Sequence, residues 1–172
     1  MNTKKMAANA ILIAVGAILH QLTPGLGIQS DFSLAMLFII IVLNKDYKTT
    51  LTCGIIIGVF AALTTKTPGG QLPNIVDKLI TANLVYLILM PLRNKMSKLA
   101  QIALVLPLGT LISGTAFLTL LATIVGLPAG ASFGVLFASV VIPTMVINTF
   151  IGLALFKIVE KIAETSGAYA ME

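Results

Sequence analysis

Apolar residues fill most of this chain, and polar positions gather in short gaps between them. The apolar runs cover about residues 6–22, 32–43, 51–63, 75–92, 99–125 and 131–159. Between them lie Thr23–Asp31, rich in glycine with Pro24, then Asn44–Lys48, Thr64–Asn74, Arg93–Lys98 and the turn Gly126–Gly130. Glycine and proline in these gaps break any helix. In hydrocarbon only helices and closed barrels satisfy their backbone groups. The runs lack the apolar–polar alternation of barrel strands. The pattern therefore predicts an all-α fold, a polytopic membrane bundle of six transmembrane helices, with residues 1–172 as one transmembrane domain. Runs two and three fall short of the ~20 residues a span needs, so they are expected to tilt, to extend into their flanks or to be shielded by neighbours. The polar tail from Glu160 is expected to fray. Lys4 and Lys5 before the first run imitate a secretory signal. The rest of the chain is equally apolar, so the run is read as a retained first span.

Composition strengthens this picture. Hydrophobic residues make up 58% of the chain and charged residues 10%, with a mean hydropathy of +1.03. Soluble domains carry about 25% charged residues, enough to cover a surface that faces water. Eleven bases stand against six acids, but they cluster on no single polar face, which argues against nucleic acid as a partner. Lys4, Lys5, Lys45, Lys48, Arg93, Lys95, Lys98, Lys157 and Lys161 fall in gaps on the N-terminal side of the bundle, and only Lys66 and Lys78 on the other. Nine against two places both termini in the cytoplasm.

The chemistry that is missing narrows the function. No GxxxxGK[ST] phosphate cradle is present. One cysteine, Cys53, and one histidine, His20, allow no disulfide and no soft-metal centre, and no carboxylate pair suggests acid–base catalysis. The chain is read as no enzyme, with no cofactor and no metal site. Cys53 is read as a small buried side chain, and His20 as a helix cap or a wet contact.

Polar residues collect at the end opposite the basic gaps. Asp31, Lys66, Asp77 and Lys78 sum to zero charge, and the stretch from Thr64 to Asn74 is the most polar in the chain. At helical spacing Asn74, Lys78 and Thr81 share a face. Such a face satisfies an amine, a carboxylate and a ring N–H together; the bland alternative is a capped helix start, with Asn74 as N-cap and Asp77 in the first turn. Gly69 and Gly70, between Pro68 and Pro73, point to a shaped loop. An amide in hydrocarbon must face a partner or a cavity: Asn148, with Thr144 one turn earlier, is assigned to a cavity, and Asn83 near Tyr86 to an interhelical bond. Ala7, Ala10, Ala14 and Ala17 line one stripe of the first span, and this pattern alone favours internal packing over partner docking.

This layout resembles the substrate-binding S components of energy-coupling factor (ECF) transporters. More narrowly, it resembles the bacterial tryptophan transport protein (TrpP) family, chiefly through the stretch from Thr64 to Lys78 and also through Lys5 to Ala10. The resemblance implies an ECF S-component-like fold and tryptophan uptake, with the substrate bound from outside. It further implies a separate coupling protein with ATPase subunits, contacted through Ala10 and Ala14. The expected substrate-binding residues are Lys66, Gly69, Gly70, Gln71, Asn74, Asp77, Lys78, Thr81 and Asn148. Lys66 or Lys78 is available for a carboxylate, Asp31 or Asp77 for an ammonium, and Gln71, Asn74 or Asn148 for an indole N–H, which is donor only. Phe60, Tyr86, Phe117 and Phe133 are candidate ring contacts. Three other readings stand beside this one: a solitary transporter, an S component for another small aromatic solute or vitamin, and a membrane assembly subunit with no ligand site.

Overall fold

A computed structural model describes residues 3–23, 31–128 and 130–169. The anticipated loop from Pro24 to Ser30, Ala129 and the last residues of the tail lie outside the described residues. Six helices carry the fold: α1 Thr3–Leu22, α2 Phe32–Leu43, α3 Tyr47–Leu63, α4 Gln71–Leu89, α5 Lys98–Ile124 and α6 Phe133–Ser166. Among the described residues there is no strand. α1, α4, α5 and α6 are each long and apolar enough to cross a bilayer.

The two short helices solve the spanning problem differently. α2 has 12 residues, about 18 Å of rise, against a hydrocarbon thickness of ~30 Å. Every residue from Ser33 to Val42 is buried, and α2 packs on α1, α3, α4, α5 and α6. A helix apolar on all sides is stable only when enclosed. α2 is that enclosed element, with Phe38, Ile39, Ile40 and Ile41 at the centre of the core. α3 instead begins a turn earlier than its apolar run, because the Asp46 carboxylate caps it by accepting from Thr49 N at 2.7 Å.

Large apolar side chains point outward on the surrounding helices. Ile55, Val59 and Leu63 of α3, Leu84 and Leu87 of α4, and Phe150, Ile158 and Ile162 of α6 are exposed. Exposed apolar surface on this scale requires lipid as solvent, and the chain is a multi-pass membrane protein.

Three expectations need correction. α1 turns Asn9, Ile13, Gly16 and His20 inward, which leaves Ala7, Ala10 and Ala14 exposed, so the alanine stripe does not pack internally. α4 starts at Gln71 with Gly70 as its cap residue. Asn74 therefore lies inside the helix, where its Nδ2 donates back to Gly70 O at 2.8 Å, and it is not the cap. α6 continues past Glu160 to Ser166 and ends at Gly167 in the left-handed conformation (φ 62°), so the start of the tail is helical.

α6 is also not uniform. Residues Phe137–Val141 form a π-helical turn, with Ile142 N donating to Phe137 O. Pro143 follows directly. It has no N–H, and its ring crowds the carbonyl four residues back. A widened turn just upstream accommodates that clash. Such turns recur at functional sites.

Candidate functional site

At the end of the bundle where α2 begins, α4 delivers Asp77 and Lys78 to the interior. Both are 1% exposed. Lys78 Nζ lies 2.9 Å from Asp77 Oδ2 and 2.8 Å from Asp31 Oδ2. The Ser113 hydroxyl of α5 donates to Asp77 Oδ1 and receives a longer contact from Lys78 Nζ at 3.4 Å. An isolated buried charge is prohibitive, whereas a paired and hydrogen-bonded one is tolerated. Asp31, Asp77 and Ser113 together let a lysine reside here.

Asp31 is fixed by its own helix. As the cap of α2 its Oδ1 accepts from Leu34 N at 2.9 Å and from Ser33 Oγ at 2.6 Å. Its backbone N–H donates to Asn148 Oδ1 of α6 at 3.0 Å. Burial works against ionisation of Asp31, but the adjacent Lys78 ammonium, the nearby His20 and the Ser33 hydroxyl outweigh it and hold the carboxyl well below the usual carboxylate range.

The cluster floors a cavity of about 260 Å³. Its polar wall includes His20, Asn74, Thr110, Thr65 and Thr67, and its apolar wall Phe117, Leu118, Leu121, Leu136, Val140 and Val141. α5 and the π turn of α6 meet along that apolar wall. A Cβ on Gly114 would lie 2.5 Å from Val141 Cγ1, so only glycine permits this approach.

The expected residues divide. Asn74, Asp77 and Lys78 line the cavity, whereas Lys66, Gly69, Gly70, Gln71, Thr81 and Asn148 do not. Lys66 is exposed and donates to Gln21 O at 2.9 Å and to Thr23 O. It ties the α3–α4 loop to the Gln21 carbonyl in the last turn of α1, where carbonyls lack an intrahelical partner, and to the Thr23 carbonyl just past the helix. Gly69 takes φ 73° in that loop. Gln71 is exposed. Thr81 is fully buried one turn beyond the cluster, and neither its Oγ1 nor Asn148 Nδ2 has a hydrogen-bond partner among the described residues. Of the aromatic candidates only Phe117 lines the cavity. Phe60 and Phe133 are exposed. Tyr86 sits at the opposite end, with Arg93 over its ring and Tyr47 against its edge. Asn83 accepts from Tyr47 OH at 2.6 Å, the interhelical bond anticipated for it.

Three features are not visible in the sequence pattern. Asp31, Asp77 and Lys78 form one cluster that excludes Lys66, so the local charge is one net negative and not zero. Lys78, read as part of a polar helix face with Asn74 and Thr81 at the outer end, is buried in the bundle. His20, Thr110 and Ser113 join the site only through tertiary packing. Their helical spacing from other polar residues carried no such signal.

These features define a polytopic membrane protein with a solute-sized, charge-floored cavity between its helices. Comparison with known proteins places it within that class. The family described as Tryptophan transporter TrpP matches residues 2–164, and the chain belongs to this family. It is 51% identical to a probable tryptophan transport protein of Clostridium perfringens over 171 residues, 93% of each chain. It is 39% identical to a probable tryptophan transport protein of Bacillus subtilis over 168 residues, 96% of each chain. No solved structure matches.

Proposed function

We propose that this protein takes up tryptophan across the cell membrane, holding the amino-acid group at the Asp31–Lys78–Asp77 cluster and the indole against the apolar wall. The observation that carries this reading is the cluster itself: two carboxylates and one ammonium, buried at the floor of a cavity with one apolar side. A zwitterion needs acceptors for its ammonium and a donor for its carboxylate, and the cluster offers both. On binding, the substrate ammonium takes the position of Lys78 between the carboxylates, and Lys78 turns to the substrate carboxylate. Ser113 and Asn74 complete the polar contacts. The cavity is slightly smaller than the ~300–1,000 Å³ usual for small-molecule sites, a size suited to one amino acid. The names of the relatives agree with this substrate.

The distribution of bases supports an outward-facing cavity: the opposite end of the bundle carries nearly all the lysines and Arg93, and positive ends stay in the cytoplasm. We assign closure over the solute to the loop that holds Gly69 and Gly70, which lines the cavity through Thr65 and Thr67 and is tied to the end of α1 by Lys66. Residues 1–172 act as one unit around α2. We assign the exposed face of Ala10 and Ala14 to docking of an ECF coupling protein that works with ATPase subunits; small side chains there let a partner helix approach closely. Uptake of labelled tryptophan into proteoliposomes, with and without such partners and ATP, tests both halves. Accumulation without partners would replace the ECF reading by that of a solitary transporter.

A further inference from the structure

His20 is 4% exposed and lines the cavity. Its Nδ1 is 2.7 Å from Thr64 Oγ1, and the direction of that bond follows from the neighbours. The Thr64 hydroxyl lies 2.7 Å from Phe60 O. A carbonyl cannot donate, so the single hydroxyl proton goes to Phe60. Thr64 Oγ1 is then the acceptor toward His20, and Nδ1 carries the ring proton. In neutral imidazole the other nitrogen, Nε2, is left with a lone pair. Nε2 has no hydrogen-bond partner among the described residues. Thr64 does not line the cavity, so the ring edge opposite it, which bears Nε2, is the one left to face the cavity.

We propose that His20 Nε2 accepts the indole N–H of the substrate and is the residue that selects indole over isosteric rings without a donor. This rests on the tryptophan reading above and adds the residue that reads the ring. Indole offers one hydrogen-bonding group, a donor, and His20 presents a buried acceptor in a fixed tautomer. Thr64 acts as a positioning residue. A ligand lacking the N–H leaves that acceptor desolvated and unpaired.

The test compares tryptophan with β-(3-benzothienyl)-L-alanine, in which sulfur replaces the indole N–H, by equilibrium binding to the full chain in detergent. The wild-type protein is expected to prefer tryptophan by about tenfold or more. His20→Leu should abolish the preference by weakening tryptophan alone. Thr64→Val should reduce it and Thr64→Ser restore it, which keeps the proposal testable if His20→Leu does not fold. A preference that survives in His20→Leu, or that disappears in Asn74→Leu instead, overturns the assignment to His20. Equal wild-type affinity for both ligands also overturns it while leaving the tryptophan reading intact. Binding of neither ligand removes both.

Discussion

The Lys78 ammonium stands 2.8 Å from the carboxylate of Asp31, and this contact joins the start of the central helix α2 to the middle of α4. Because Lys78 also holds Asp77, the loss of one member strands the others in a medium that does not solvate them. Lys78→Met is expected to lower stability by about 3–5 kcal/mol, read as thermal or denaturant unfolding in detergent. The triple variant Asp31→Asn, Asp77→Asn, Lys78→Met should recover much of that loss, since it removes the uncompensated charge, without recovering tryptophan binding. A Lys78→Met protein as stable as wild type would show that the cluster is hydrated and not buried.

Gly114 controls access along the apolar wall. Gly114→Ala forces the π turn of α6 away from α5, at an expected cost of about 1–3 kcal/mol. It also narrows the space beside Phe117. The affinity for tryptophan should fall, and that for a smaller amino acid such as alanine should not. An unchanged tryptophan affinity would place the ring elsewhere.

Lys66 ties the α3–α4 loop to the end of α1 without lining the cavity. It caps α1, and such a terminal cation contributes typically 0.3–1 kcal/mol. Lys66→Met is therefore expected to cost less than about 1 kcal/mol in stability and to leave affinity within a few-fold of wild type. A loss of affinity as large as in Lys78→Met would bring Lys66 into contact with the solute.

Asn83 provides a control on α4. Its bond with Tyr47 joins α3 to α4 at the end away from the cavity, and interhelical bonds of this kind average about 0.6 kcal/mol. Asn83→Leu should lower unfolding stability by about that amount and leave tryptophan binding unchanged. A drop in affinity would connect this end to the site.

Much of the architecture was legible in the apolar runs. The bounds of α2 coincide with its run because Asp31 and Asn44 flank it with polar groups that finish the helix. Its enclosure shows in its composition, since no position from Phe32 to Leu43 other than Ser33 is polar. The start of α4 was misplaced for a physical reason: Pro73 sits in the first turn, where its missing N–H costs nothing, and Asn74 bonds back to Gly70 instead of capping. Lys78 reads as a base of the outer end because a lysine in an apolar run signals a water boundary; Asp77 beside it in sequence and Asp31 far from it stand in for water here. The alanine stripe was ambiguous because small residues suit both an internal seam and an outer face, and the inward Asn9, Ile13, Gly16 and His20 decide between them. His20 and Ser113 become site residues only where five helices converge, and spacing along one helix does not encode that convergence.

The most direct measurement is calorimetric titration of tryptophan into the purified chain, run in parallel on wild type, Asp77→Asn and Lys78→Met. Saturable one-to-one binding to wild type, weakened by about tenfold or more in each variant while Lys66→Met stays near wild type, is the expected result. No saturable binding to a folded wild-type protein, or undiminished binding in both cluster variants, would contradict a tryptophan site built on Asp31, Asp77 and Lys78.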